Sequence, residues 1–183
     1  MLYTILFTGH MIDKDKRAKP RFEAAKENEV MQAMQKQIIQ EKGVAKNNIR
    51  GIASGACGGD ILFHELCKEY KIPTEVYLAM PENEFKKASV SFAGKKWDDR
   101  FDELVKKLPV SILPASTENN KENVWEQTNL WMLKKGLENG GENMSLIALW
   151  DGESGDGTGG TEHMINIAKE KGARINIIDI KKI

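Results

Sequence analysis

Strand-like and helix-like segments alternate along this chain from end to end, an order that points to a parallel sheet with crossover helices on both faces. Short apolar runs bounded by turn residues mark strands at Tyr3 to Thr8, Ile49 to Ala53, Thr74 to Ala79, Val110 to Leu113, Ser145 to Trp150 and Arg174 to Ile180. Between them lie apolar stripes at helical spacing. Val30, Met34 and Ile38 fall within Phe22 to Lys42; Leu62, Leu66 and Tyr70 follow; then Phe101, Leu104 and Leu108; Leu130, Leu133 and Leu137; and Met164, Ile167 and Ala168. The expectation is a three-layer α/β fold with a mostly parallel sheet of about six strands.

No repeat, low-complexity tract or proline-rich linker interrupts this order, so residues 1–183 read as one domain, a length ordinary for a single core. Asn119 to Asn123 and Glu138 to Asn143 read as polar connections. Lysine plus arginine equals aspartate plus glutamate, 27 of each, which disfavours nucleic acid as a partner and requires any anion to be bound locally. The apolar run Leu2 to Phe7 is too short for a signal peptide or membrane span. Cys57 and Cys67 have neither zinc-site spacing nor the density of a secreted disulfide scaffold, and a reducing cytoplasm is expected.

Ser54-Gly55-Ala56-Cys57-Gly58-Gly59-Asp60 stands between a strand and a helix, where backbone N–H groups at a helix N-terminus are suited to a phosphate. A plain structural turn calls for the same residues, with Asp60 as a cap. The second glycine cluster, Gly155 to Thr161, follows the strand ending at Trp150; Thr161 reads as N-cap and Glu162 as a first-turn carboxylate. A solvated loop kept polar by Asp151, Glu153 and Asp156 is the competing reading, and those carboxylates lack calcium-loop spacing. The long connections His10 to Arg21, Met80 to Lys96 and Asp151 to Gly160 follow strands and so lie at the carboxyl edge, where ligands bind in open parallel sheets.

His10, after the first strand, is suited equally to a ligand hydrogen bond and to a structural one. Asp13, Arg17 and Arg21 share its loop, and either guanidinium suits a phosphate or simple solvation. His64 and Cys67 are three apart on a helix but lack further ligands, so neither metal nor cofactor is expected. Ser89, Phe92 and Trp97 border the connection after Met80-Pro81, where aromatics read first as core; Trp125 and Trp131 read as packing or a subunit interface. No serine–histidine–aspartate or cysteine–histidine order is defensible.

Phe7-Thr8-Gly9-His10-Met11-Ile12-Asp13, the Ser54 to Leu62 segment, Met80-Pro81 with Phe85 and Ser89-Val90, and Leu149-Trp150-Asp151-Gly152 followed by Gly159-Gly160-Thr161 together resemble the SLOG superfamily over nearly the whole chain. That group includes LOG-type phosphoribohydrolases, DprA-like domains and sensor domains of bacterial antiviral systems. The resemblance implies a Rossmann-like fold that binds a nucleotide or nucleotide-derived ligand, such as a nucleoside phosphate, an ADP-ribose derivative or a cyclic nucleotide. The ligand residues it implies are Gly9, His10, Ser54, Gly55, Ala56, Gly58, Gly59, Asp60, Pro81, Ser89, Asp151, Gly159, Gly160, Thr161 and Glu162. A sensor or sequestering role would engage an effector protein or a homo-oligomer. LOG hydrolases carry proline-glycine-glycine-x-glycine-threonine-x-x-glutamate, whereas this chain lacks the proline and places Glu162 directly after Thr161. Asp156-Gly157-Thr158 with Glu162, Ala168 and Gly172 is similar to nucleoside 2-deoxyribosyltransferases. The alternative is therefore an enzyme acting on an N-glycosidic bond, with Glu162 at the anomeric carbon and Asp60 positioning ribose hydroxyls.

Overall fold

The strands pair into one sheet in the order β4-β3-β2-β1-β5-β6, with every pairing parallel. In this computed structural model the described residues are 1–45, 48–114, 124–153 and 160–183. The elements run β1 (Tyr3–Gly9), α1 (Glu27–Ala45), β2 (Ile49–Ala53), α2 (Gly59–Glu69), β3 (Thr74–Leu78), α3 (Glu82–Ser89), α4 (Lys95–Lys107), β4 (Val110–Ile112), α5 (Val124–Gly136), β5 (Met144–Trp150), α6 (Thr161–Glu170) and β6 (Arg174–Asp179). Each strand expected from the sequence is present to within one residue at either end.

Alternation along the strands divides the core in two. Tyr3, Ile5 and Phe7 of β1 join α1, α2, α3 and α4 in a cluster on one face, while Leu6, Ile52, Tyr77 and Leu146 meet α5 and α6 on the other. The central strands β1 and β5 are covered on both faces and accordingly read as nearly continuous apolar runs. At the edges, β4 has only three residues and β6 leaves Ile177 exposed. This is a three-layer, Rossmann-like α/β fold. No helix among the described residues is long and apolar enough to cross a membrane.

Two elements differ from the sequence reading: the helix read over Phe22 to Lys42 runs from Glu27 to Ala45, and a further helix follows β3. The connection after β3, read from the sequence only as a long one, contains α3, which buries only Phe85 and Ser89. Two inward residues make too narrow a stripe to stand out in a segment otherwise polar.

Candidate functional site

Successive strands run outward from β1 through β2 and β3 to β4 on one side, and the chain returns to β1 to add β5 and β6 on the other. The carboxyl ends of β1 and β5 therefore form a topological switch point, with Gly9 beside Leu149 in register. His10 and Asp151 follow these strands directly. The Asp151 amide donates to His10 Nε2 at 3.2 Å, and Asp151 Oδ1 lies 3.3 Å from the same nitrogen, so the two loops leaving the switch point are joined to each other.

The Ser54-to-Asp60 turn forms the next part of the rim, and three of its amides are engaged within the protein. Ala56 N–H donates to Asp60 Oδ2 at 3.1 Å, Cys57 N–H to the Ser89 carbonyl at 3.0 Å, and Gly59 N–H to the His10 carbonyl at 3.3 Å. Ile12 N–H donates in return to the Cys57 carbonyl at 3.1 Å, flanking an antiparallel bridge between Met11 and Gly58. Gly58 makes that approach possible: its φ is +97°, and a Cβ there would stand 2.7 Å from the Ile12 nitrogen. Of the glycines expected to expose amides to a phosphate, Gly58 allows the β1 loop to lie against the turn and Gly59 donates its amide to that loop.

What the turn offers to the interior of the site is the Asp60 carboxyl. It sits in the first turn of α2, half-buried, and loss of hydration pushes its pKa up to about 7 against the opposing hydrogen bond from Ala56. Its proton thus comes and goes near neutrality. Behind it, buried His64 donates from Nε2 to the Ser54 carbonyl at 2.9 Å, leaving Nδ1 to accept from the Thr74 hydroxyl at 3.0 Å. Burial drives the imidazole pKa down to about 4, so His64 is a neutral strut under the turn.

These parts enclose a cavity of about 420 Å³, within the usual range for small-molecule sites. Its described lining includes Thr8, Gly9 and Met11 from the end of β1, Ser54, Ala56 and Asp60 from the turn, and Phe85, Ala88 and Ser89 from α3. Trp125, Glu126, Thr128, Asn129 and Met132 of α5 form another wall, and Gly160 with Thr161 supply the N-terminus of α6. Phe85 and Trp125 present rings 5.7 Å apart between centroids, tilted by 57°, and Trp125 is 42% exposed. At α6 the N-cap is Gly160 rather than Thr161, and Thr161 is the first helical residue. First-turn amides have no acceptor within their own helix, and at this end Gly160 and Thr161 line the cavity.

Of the residues expected from the sequence, Gly9, Ser54, Ala56, Asp60, Ser89, Gly160 and Thr161 are brought together in this cavity. His10 lines a smaller adjoining one with Gly9 and Thr161. Gly55, Gly58, Gly59, Pro81, Asp151 and Glu162 are not among the described residues lining either, and Gly159 lies outside the described residues. A Cβ on Gly55 would meet the Phe101 ring at 3.0 Å, behind the turn. Sequence reasoning missed the α5 wall. Trp125, Thr128, Asn129 and Met132 follow an inward-facing helical spacing, and the polar residues within that stripe were the available signal.

Among the described residues no group of three or more histidine, cysteine, aspartate or glutamate side chains is placed to hold a metal ion. A groove of about 680 Å³ between α2 and α4 is larger than the switch-point cavity, but its Arg100 is engaged by Glu65 and Glu27, and it lies away from the strand ends.

No family model and no curated protein matches the chain. Among solved structures, it is similar to DNA processing protein A (DprA) from Streptococcus pneumoniae, with a TM-score of 0.56 and 14% identity over 96% of this chain. The chain spans half the length of that one. The fold is DprA-like.

Proposed function

We propose that this chain is a SLOG-like module that binds a nucleotide or nucleotide-derived small molecule at the β1/β5 switch point. The observation that carries the proposal is the Asp60 carboxyl in a cavity walled by the exposed Trp125 ring, which is backed by the buried Phe85. A base would lie against the exposed Trp125 ring, whose π-face accepts any heterocycle. Asp60 and Glu126 would accept from exocyclic amines or ribose hydroxyls, and Ser54, Ser89, Thr128 and Asn129 offer further polar partners. DNA processing, named for the structural neighbour, is not carried over, because the equal count of 27 cationic and 27 anionic residues supplies no basic field.

The test is a thermal-shift screen over nucleosides, nucleoside phosphates, ADP-ribose species and cyclic nucleotides. A ligand selective for the native state raises the apparent Tm. Trp125→Ala is expected to abolish the shift while the variant stays folded. A shift of equal size in that variant would remove α5 from the site. A ligand that raises the Tm and is recovered unchanged supports a sensor or sequestering module, whose effector is then sought as a partner protein or a second copy of the chain.

The Asp60 pKa of about 7 also favours a second reading, acid–base cleavage of an N-glycosidic bond. Here Asp60, which lines the cavity, carries the chemistry in preference to Glu162, which does not. Free base released from a nucleoside monophosphate, lost in Asp60→Asn and kept in Glu162→Gln, is the expected pattern. Loss in Glu162→Gln alone returns the chemistry to Glu162.

A further inference from the structure

Next to the main cavity lies an annex of about 200 Å³ that shares Gly9, Met11 and Thr161 with it. The charge in the two compartments is divided. The charged side chains lining the described main cavity are the carboxyls Asp60 and Glu126, with no lysine or arginine. The annex is lined by Lys14, Arg17 and Arg21 against the single carboxylate Asp13. An anion entering the main cavity meets like charge, whereas one entering the annex meets an excess of cations beside the first turn of α6.

Two of the cations, Arg17 and Lys14, are positioned by neighbouring groups. Arg17 Nε donates to the Lys19 carbonyl at 2.9 Å and lies 3.4 Å from Asp13 Oδ1, so both contacts use the same edge of the guanidinium. The Arg21 amide donates to Asp13 Oδ2 at 2.7 Å, closing the loop on itself. Lys14 Nζ stands 5.0 Å from the centroid of the Phe92 ring, which also lines the annex. The bridge between Met11 and Gly58 fixes this loop to the turn that carries Asp60, setting the distance between basic and acidic compartments.

We infer that the annex is an anion subsite for a terminal phosphate of the ligand, with the uncharged, donor-rich part of the same molecule in the main cavity. This rests on the small-molecule reading above and narrows it. The ligand is a nucleoside carrying a phosphate at one end, and its phosphate is held by β1-loop side chains rather than by the glycine-turn amides, three of which donate within the protein.

The experiment is calorimetric titration of the intact chain with the four common ribonucleosides, their 5′-monophosphates and inorganic phosphate, repeated for Lys14→Gln and Arg17→Gln. Both side chains are exposed, so the variants are expected to fold. The 5′-monophosphate is expected to bind more tightly than its nucleoside, and each variant to weaken it about tenfold while leaving the nucleoside unchanged. Equal affinities of nucleoside and monophosphate, or variants that bind both as well as the parent chain, overturn the annex and leave the nucleotide-site reading standing. Inorganic phosphate bound in an Arg17-dependent way with no nucleoside or nucleotide bound keeps the annex as an anion site and sinks the nucleotide reading.

Discussion

His64 Nε2 donates to the Ser54 carbonyl at 2.9 Å, and Ser54 lines the cavity beside Asp60. The neutral imidazole and the protonation-prone carboxyl are thus two parts of one turn with opposite responses to acid. His64 has its pKa lowered from 6.5 to about 4, so the unfolded chain takes up the proton first. Stability from this group is full above pH 6.5 and is lost as pH falls toward 4, by about 3 kcal/mol at most. In His64→Gln that acid loss is expected to disappear, as read by urea unfolding at pH 7.5 and pH 4.5. An unchanged difference between the two pH values would remove His64 as its source.

Asp60 runs the other way. Its folded pKa of about 7 lies above the unfolded 3.8, so its stabilising effect is complete below 3.8 and lost as pH rises through 7. Asp60→Asn retains an acceptor for the Ala56 amide and removes the cost of an ionised carboxyl in a cavity. The variant is expected to be more stable than the parent at pH 8.5, by at most about 4 kcal/mol and less to the extent that water enters, and nearly equal to it at pH 3.5. Equal denaturation midpoints at pH 8.5 would show that solvent reaches the carboxyl freely.

Glycine replacements separate close packing from mere flexibility. A Cβ on Gly59 would fall 2.6 Å from the buried Phe7 ring, whereas one on Gly43, within α1, would meet nothing within 4 Å. Gly59→Ala is expected to lower stability by about 1–3 kcal/mol through overpacking. Gly43→Ala is expected to raise it by about 0.5–1 kcal/mol through helix propensity. Midpoints in a single denaturant series measure both, and a neutral Gly59→Ala would mean that Phe7 has room to move.

At the amino ends of the strands, Glu41 is fully buried and accepts from the Tyr3 hydroxyl at 2.6 Å and from Asn176 Nδ2 at 3.0 Å, with Arg174 Nε 3.4 Å away. Burial and this carboxylate raise the Tyr3 pKa. Tyr3→Phe leaves a buried carboxylate short of one donor and is expected to cost about 1–3 kcal/mol. No loss on thermal or urea unfolding would show that Asn176 and Arg174 suffice for Glu41.

The strands were legible to within one residue because period and apolar run length report burial directly: β1 is buried on both faces and reads as a near-continuous apolar run. α3 was not, since Phe85 and Ser89 are its only buried residues. That Asp60 and Thr161 lie at the cavity was legible because both stand at the start of a helix that follows a strand. Which amides of the glycine turn were occupied was not legible. The acceptors are the His10 and Ser89 carbonyls and the Asp60 carboxylate, and two of these three come from segments distant in sequence. The Trp125 wall was hidden for a related reason, because an aromatic on a helix carries the same sequence signal whether it faces a core or a cavity.

The stitching of the β1 loop to the glycine turn by paired main-chain hydrogen bonds makes the floor of the cavity a single rigid casting. A residue swapped at Met11 or Ala56 is felt on both sides of the seam. α5 meets the same space through side chains, among them Trp125, Thr128 and Asn129. Reshaping this cavity is therefore a task for positions 125 to 132, where the wall can be recut while the casting beneath it stays whole.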